Sequence, residues 1–132
     1  MPSGSILIVE DDDASRKMLA KRLKTVGYKL MTAANGKEGV KKAVLERPEL
    51  IIMDMAMPVM DGWEATKMLK TYPETKDIPI LALTAFTKVP DMEKSLDAGC
   101  DDFETKPVKF EHLLRKVHQL LHDEDEFDED EY

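Results

Sequence analysis

Four places along the chain carry side chains suited to chemistry at a phosphoryl group. They are the acidic run Glu10-Asp11-Asp12-Asp13, a lone acid at Asp54, a hydroxyl at Thr84 and an ammonium at Lys106. Carboxylates gathered in one small crevice repel each other unless a cation sits among them. A hard divalent ion with oxygen ligands and retained waters meets that need; Mg2+ is the available one, and Mn2+ can substitute. A carboxylate held between such an ion, an ammonium and a hydroxyl donor is equipped to attack phosphorus. That transfer rests on positioning and on neutralising the equatorial oxygens.

Each residue alone has a plainer role. An acidic run commonly caps and solvates a helix start, and a single threonine or lysine is usually a strand-end hydroxyl or a surface charge. Asp54 differs, because a carboxylate directly after the apolar run Leu50-Ile51-Ile52-Met53 is costly without a partner. The question is therefore whether the chain brings the four places together.

The periodicity says that it does. Five β-like runs, at residues 5–9, 29–33, 50–53, 78–83 and 102–105, are each followed by a stretch with helical spacing, the pattern of βα units. Three runs are almost wholly apolar, as central parallel strands covered on both faces must be, whereas the second and fifth are mixed and suit edges. The first helix follows the acidic run, with Asp12 or Asp13 as its cap and Met18, Leu19, Leu23 and Val26 inward, and stops at Gly27. The second opens at Asn35 and ends before Pro48; the third follows Gly62 and closes before Pro73. The fourth has Pro90 near its start and Gly99 after its end, and the fifth carries an apolar stripe from Phe110 to Leu121. Right-handed crossovers then give an α/β domain, a five-stranded parallel sheet with helices on both faces. All parallel strands finish at one edge, and Glu10, Asp54, Thr84 and Lys106 stand at or just past those strand ends.

At these residues the chain resembles the receiver domains of two-component systems. The segments are Ile-Val-Glu-Asp-Asp (8–12), Met-Asp-Met-Ala-Met-Pro-Val-Met-Asp-Gly (53–62), Leu-Thr-Ala (83–85), Asp-Ala-Gly-Cys-Asp-Asp-Phe (97–103) and Lys-Pro (106–107), in order and with receiver spacing. The resemblance implies the flavodoxin-like strand order 2-1-3-4-5, with the ligand crevice beyond strands one and three. It implies a phosphorylation-activated response regulator, a switch and not an enzyme acting on a separate substrate. Asp54 would be the phosphoacceptor. Asp11, Asp54 and the backbone carbonyl of Ala56 would ligate Mg2+, with Glu10 acting through water. Thr84 and Lys106 would contact the phosphoryl oxygens, Thr84 and Phe103 would form the switch, and Pro107 would follow a cis peptide. The donor would be a histidine kinase or a histidine phosphotransfer domain. The output would be protein binding through the face made by the fourth helix, fifth strand and fifth helix, in a monomer or weak homodimer. In this family the positions two after the acceptor and two after the threonine tune loss of the phosphoryl group. Here they are Ala56 and Phe86, which implies slow self-dephosphorylation.

Composition limits the alternatives. The chain of 132 residues is 42% hydrophobic and 35% charged, enough for one packed domain at residues 1–122. Its net charge of −8 is local, since residues 123–132 hold eight of the 27 acids and the remaining 19 match the 19 bases. That tail is expected to be disordered, and without a compensating basic stripe nucleic acid is an unsuited partner. Apolar runs fall short of the roughly 20 residues of a membrane helix, no secretory leader pattern precedes Ile6, and the lone Cys100 forms no internal disulfide, so a cytoplasmic chain is expected. With only the acidic tail after the last helix, an output module is not expected in this chain. A chemotaxis-like or polarity-type effector, a phosphorelay intermediate and a domain excised from a hybrid kinase remain open. A haloacid-dehalogenase-like phosphatase would need an acid two residues after its nucleophile, where Ala56 stands, and a plain Mg2+ scaffold leaves Thr84 and Lys106 unused. Trp63, the methionines 55, 57 and 60, and Cys100 read as packing residues. His118 and His122, four apart on a helix, read as an exposed pair before a metal site.

Overall fold

The computed structural model describes residues 4–57, 60–85 and 89–122. Five strands, β1 (Ser5–Val9), β2 (Lys29–Ala33), β3 (Leu50–Asp54), β4 (Ile80–Thr84) and β5 (Asp102–Thr105), alternate with α1 (Asp13–Val26), α2 (Gly36–Glu46), α3 (Gly62–Thr71), α4 (Val89–Ala98) and α5 (Phe110–His122). All pairings are parallel and the order is β2-β1-β3-β4-β5.

Alternation along the three central strands builds two cores. Ile6, Ile8, Leu50, Ile52, Leu81 and Leu83 face Leu19 and Leu23 of α1 and Leu113 and Val117 of α5. Leu7, Val9, Ile51, Met53, Ile80 and Ala82 face Val40 and Ala43 of α2 and Ala65 and Leu69 of α3. Every residue of β3 and β4 is buried, which explains their unbroken apolar runs. The mixed β2 and β5 lie at the two edges.

Two expectations need correction. β4 begins at Ile80 and not at residue 78, because Pro79 has no N–H and the Ile78 N–H is turned back to the Thr75 carbonyl at 3.0 Å. Met18 is 52% exposed although its spacing matches the inward stripe; α1 buries only Leu19 and Leu23. Cys100 is buried as expected, and burial pushes its thiol up to about 11. Trp63 packs at the start of α3 and donates from Nε1 to Ser95 Oγ of α4 at 3.1 Å. Phe86 and the tail at residues 123–132 lie outside the described residues.

The helix starts are tied by side chains at the strand-end edge of the sheet. Asp12 accepts from the Ser15 N–H at 2.8 Å, Asn35 from Glu38 at 2.8 Å and Asp61 from Glu64 at 2.9 Å. Each satisfies a backbone donor that has no partner within its own helix.

Candidate functional site

The acidic run divides its labour. Asp12 caps α1, and Asp13 pairs with Arg16 and, at 3.3 Å, with Lys17. Both carboxyls are held below their ordinary range, Asp12 by its bonds to Ser15 and Asp13 by Lys17 and Arg16. These two do the capping and solvating work that an isolated acidic run suggests. Glu10 and Asp11 are left for the crevice.

Glu10 follows β1 and is pinned by its backbone, donating to the Ala33 carbonyl at 3.1 Å and accepting from Arg16 Nη1 at 3.0 Å. Its side chain is 1% exposed. Burial, then its hydrogen bond with Asp54, hold the Glu10 carboxyl above its ordinary value. The Asp12 N–H and Lys106 act in the opposite direction and do not outweigh them. Asp54 closes β3, 2% exposed, with its Oδ1 3.3 Å from the Ala56 N–H. Asp11 lies at the exposed mouth.

One cation spans the two buried acids. Lys106 Nζ stands 3.2 Å from Asp54 Oδ1 and 3.3 Å from Glu10 Oε1. Burial works against its charge, but the attraction of Asp54 and Glu10 prevails and its pKa is raised. Lys106 is carried there by a backbone bond from its N–H to the Thr84 carbonyl at 2.8 Å, and the Lys106–Pro107 peptide is cis. Thr84, 2% exposed, closes β4 one residue beyond Leu83, which pairs with Asp54 across the sheet.

The donor set fits a hard divalent ion. Oxygen atoms of Glu10, Asp11 and Asp54 lie within 4.8 Å of one another, and among the described residues Lys106 is the ammonium paired with two of the three acids. The ligands are all oxygens, one is open to solvent, and the excess charge is negative, which suits Mg2+ and not a thiolate-seeking metal.

The arrangement depends on a residue that its chemistry does not reveal. A Cβ on Gly62 would sit 2.4 Å from the Asp54 carbonyl oxygen and 2.6 Å from Met55 Cα. Gly62 also donates to the Met55 carbonyl at 3.0 Å, so α3 starts directly against the backbone that aims Asp54. The Asp61-Gly62 pair was the available signal, read as the end of the receiver-like segment and as a helix start, without a role for Gly62 in placing Asp54. Ala56 follows the acid with an exposed side chain. Phe103 sits on β5 opposite Ala82, half-buried against the core that α2 and α3 cover. His118 and His122 stand apart from the crevice on α5, their ring centroids 4.6 Å from each other. Among the described residues no helix is long and apolar enough to cross a membrane.

A family model described as the response regulator receiver domain matches residues 6–118. The polar-differentiation response regulator DivK of Brucella anthropi is 34% identical over 119 residues, covering 90% of this chain and 97% of its own. The fold is similar to that of the chemotaxis protein CheY4 of Vibrio cholerae, with a TM-score of 0.86 and 33% identity over 91% of this chain and 100% of that one. It is also similar to the receiver domain of the sensor histidine kinase PA1611 of Pseudomonas aeruginosa, solved with a magnesium ion coordinated in its active site cleft. There the TM-score is 0.81 and the identity 34%, over 89% of this chain and 96% of that one. The chain spans about half the length of other curated relatives it matches, which are transcriptional regulators.

Proposed function

The chain belongs to the response regulator receiver family, whose general function is phosphorylation-dependent signalling in two-component systems, and from that premise we propose that Asp54 is its phosphoacceptor. The observation that carries the reading is the placing of one ammonium, Lys106 Nζ, between the buried carboxylates of Asp54 and Glu10, at 3.2 and 3.3 Å. Lys106 aims Asp54 through their 3.2 Å contact and offers its remaining protons to an incoming phosphoryl oxygen. Thr84, at the neighbouring strand end, supplies a hydroxyl to a second oxygen.

Asp11, Asp54 and the Ala56 carbonyl would hold Mg2+, with Glu10 acting through water, and Mn2+ would serve in its place. When bound, the ion neutralises phosphoryl oxygen charge and lets the acids share one crevice. The donor is the phosphorylated imidazole of a histidine kinase or a histidine phosphotransfer domain. As an Asp54 carboxylate oxygen forms its bond to phosphorus, the P–N bond breaks and its electron pair stays on the imidazole nitrogen. Asp54 is 2% exposed, so bulk water has little access to it as the bond forms. The product is an acyl phosphate on Asp54.

Its effect is read out by Thr84 and Phe103. Thr84 is drawn toward the new phosphoryl group, the space it leaves admits the Phe103 ring, and the face formed by α4, β5 and α5 changes for a downstream protein. Phosphorylation biases two conformations already accessible to the domain. No turnover of a separate substrate is involved.

Incubation with acetyl phosphate and Mg2+ followed by intact mass tests the proposal. The parent should gain one labile phosphoryl group, and Asp54→Asn should gain none. Full acyl-phosphate formation on Asp54→Asn, or turnover of added phosphomonoesters by the parent, defeats it.

A further inference from the structure

Lys116 lies on α5, away from the acidic crevice, yet its ammonium gathers three consecutive residues of β5. Nζ stands 3.8 Å from Asp102 Oδ1 and 3.3 Å from Glu104 Oε1. It also donates to the Phe103 carbonyl and lies 5.3 Å from the centroid of the Phe103 ring. The Phe103 N–H is bound in turn by Asp102 Oδ1 at 2.8 Å. The aromatic read as the moving part of the switch is thus held at both ends of its own backbone unit and at its ring. The Glu104 side chain is 8% exposed, so the charge that pairs with it belongs to the structure and not to a passing surface contact.

We propose that Lys116 is a latch on the switch: its ammonium favours the conformation in which Phe103 stands beside it, and so sets how readily the domain activates. This rests on the reading of Phe103 as the moving aromatic. Rotation of the ring toward Thr84 separates it from the ammonium, whereas the pairs with Asp102 and Glu104 survive, because those side chains leave the strand on the other side from Phe103. The ring contact is therefore the differential one, and only a differential contact can move a two-state equilibrium. A cation–π contact at a partly exposed site biases it by about two- to fivefold. Lys116 touches neither the crevice nor a phosphoryl group; it is a positioning residue.

The test must separate latching from plain neutralisation of Glu104. The protein is labelled with fluorophenylalanine, Phe103 is assigned by Phe103→Leu, and its fluorine resonance is followed with and without beryllofluoride and Mg2+. In the pair Lys116→Met with Glu104→Gln, which removes both charges, the resonance of the untreated protein should move part of the way toward the beryllofluoride position. Phosphorylation by acetyl phosphate should quicken by about two- to fivefold. Glu104→Gln alone should leave the resonance in place, and Lys116→Arg should restore the parent position. A resonance that stays at the parent position in the double variant overturns the latch, as does an equal shift from Glu104→Gln alone. A parent that takes up phosphoryl on Asp54 while its own Phe103 resonance ignores beryllofluoride removes Phe103 as the switch, and the latch with it. A parent that responds beside an unmoved double variant overturns the latch alone.

Discussion

Glu10 is the residue whose burial is hardest to justify without function. It is 1% exposed, shares a hydrogen bond with another buried acid and is pushed above its ordinary pKa chiefly by desolvation. Because the folded value is raised, Glu10 contributes stability that is complete below its ordinary value of 4.5 and lost as pH rises through the folded value. At neutral pH without a divalent ion it is therefore a liability. Glu10→Gln should stabilise the metal-free domain at pH 7, and that gain should disappear as pH falls below 4.5 and the glutamate becomes neutral in both states. Millimolar Mg2+ should raise the melting temperature of the parent more than that of the variant, and the rise should fade as acid protonates the crevice. Thermal melts across pH, with Mg2+ or chelator, measure all three; a variant less stable than the parent in chelator at pH 7 rejects this account of Glu10. Ala56 carries a second prediction at this scale. Its exposed side chain cannot orient a water, and neither can that of Phe86, so the acyl phosphate should be long-lived. The double variant Ala56→Asn, Phe86→Glu should shorten its lifetime in a decay experiment with Mg2+. Decay no faster than the parent means the lifetime is set elsewhere.

Elements convert these residues into a site, and here sequence and structure part company in instructive ways. β1, β2 and β5 fall where alternation and turn residues place them, the caps at Asp12 and Asn35 stand where the sequence opens those helices, and Asp61 caps α3 without having been read as its cap. Glu10, Asp54, Thr84 and Lys106 were legible because parallel strands all end at one edge. Met18 was not, since spacing identifies a face but not whether anything covers it. Gly62 was missed for a different reason: its importance lies in a missing atom, which only the backbone of Asp54 and Met55 reveals. Gly62→Ala should cost about 2 kcal/mol or more, because a methyl at 2.4 Å from a carbonyl oxygen forces backbone to move. It should also slow phosphorylation of the molecules that remain folded, since that backbone aims Asp54. A denaturant midpoint and an acetyl phosphate time course read the two effects separately. Loss of stability with an unchanged rate would show that α3 shifts and Asp54 does not. The bond from Trp63 to Ser95 joins α3 to α4 in the same way, and Ser95→Ala should cost about 1 kcal/mol in that denaturant midpoint.

Across the whole molecule, charge is divided unevenly. Residues 1–122 balance 19 acids with 19 bases, while residues 123–132 hold eight carboxylates and no base. Among the described residues some bases pair with local acids: Lys106 with Asp54 and Glu10, Lys116 with Asp102 and Glu104, Lys70 with Asp101, Lys42 with Glu38. A body of zero formal net charge offers little long-range attraction to an acidic segment, so the tail's field acts on itself or on a basic partner. Removing residues 123–132 should then leave the melting temperature within about 2 °C of the parent, well under the shift that loss of 1 kcal/mol produces in a small domain. Raising salt, which screens exposed charges over about 10 Å at 0.1 M, should narrow even that difference. The opposite outcome has its own meaning. A drop of several degrees that salt does not erase requires apolar burial, and Phe127 and Tyr132 are the tail's apolar side chains. Phe127→Ser with Tyr132→Ser in the full chain should then reproduce the drop, whereas Glu-to-Gln changes in the tail should not.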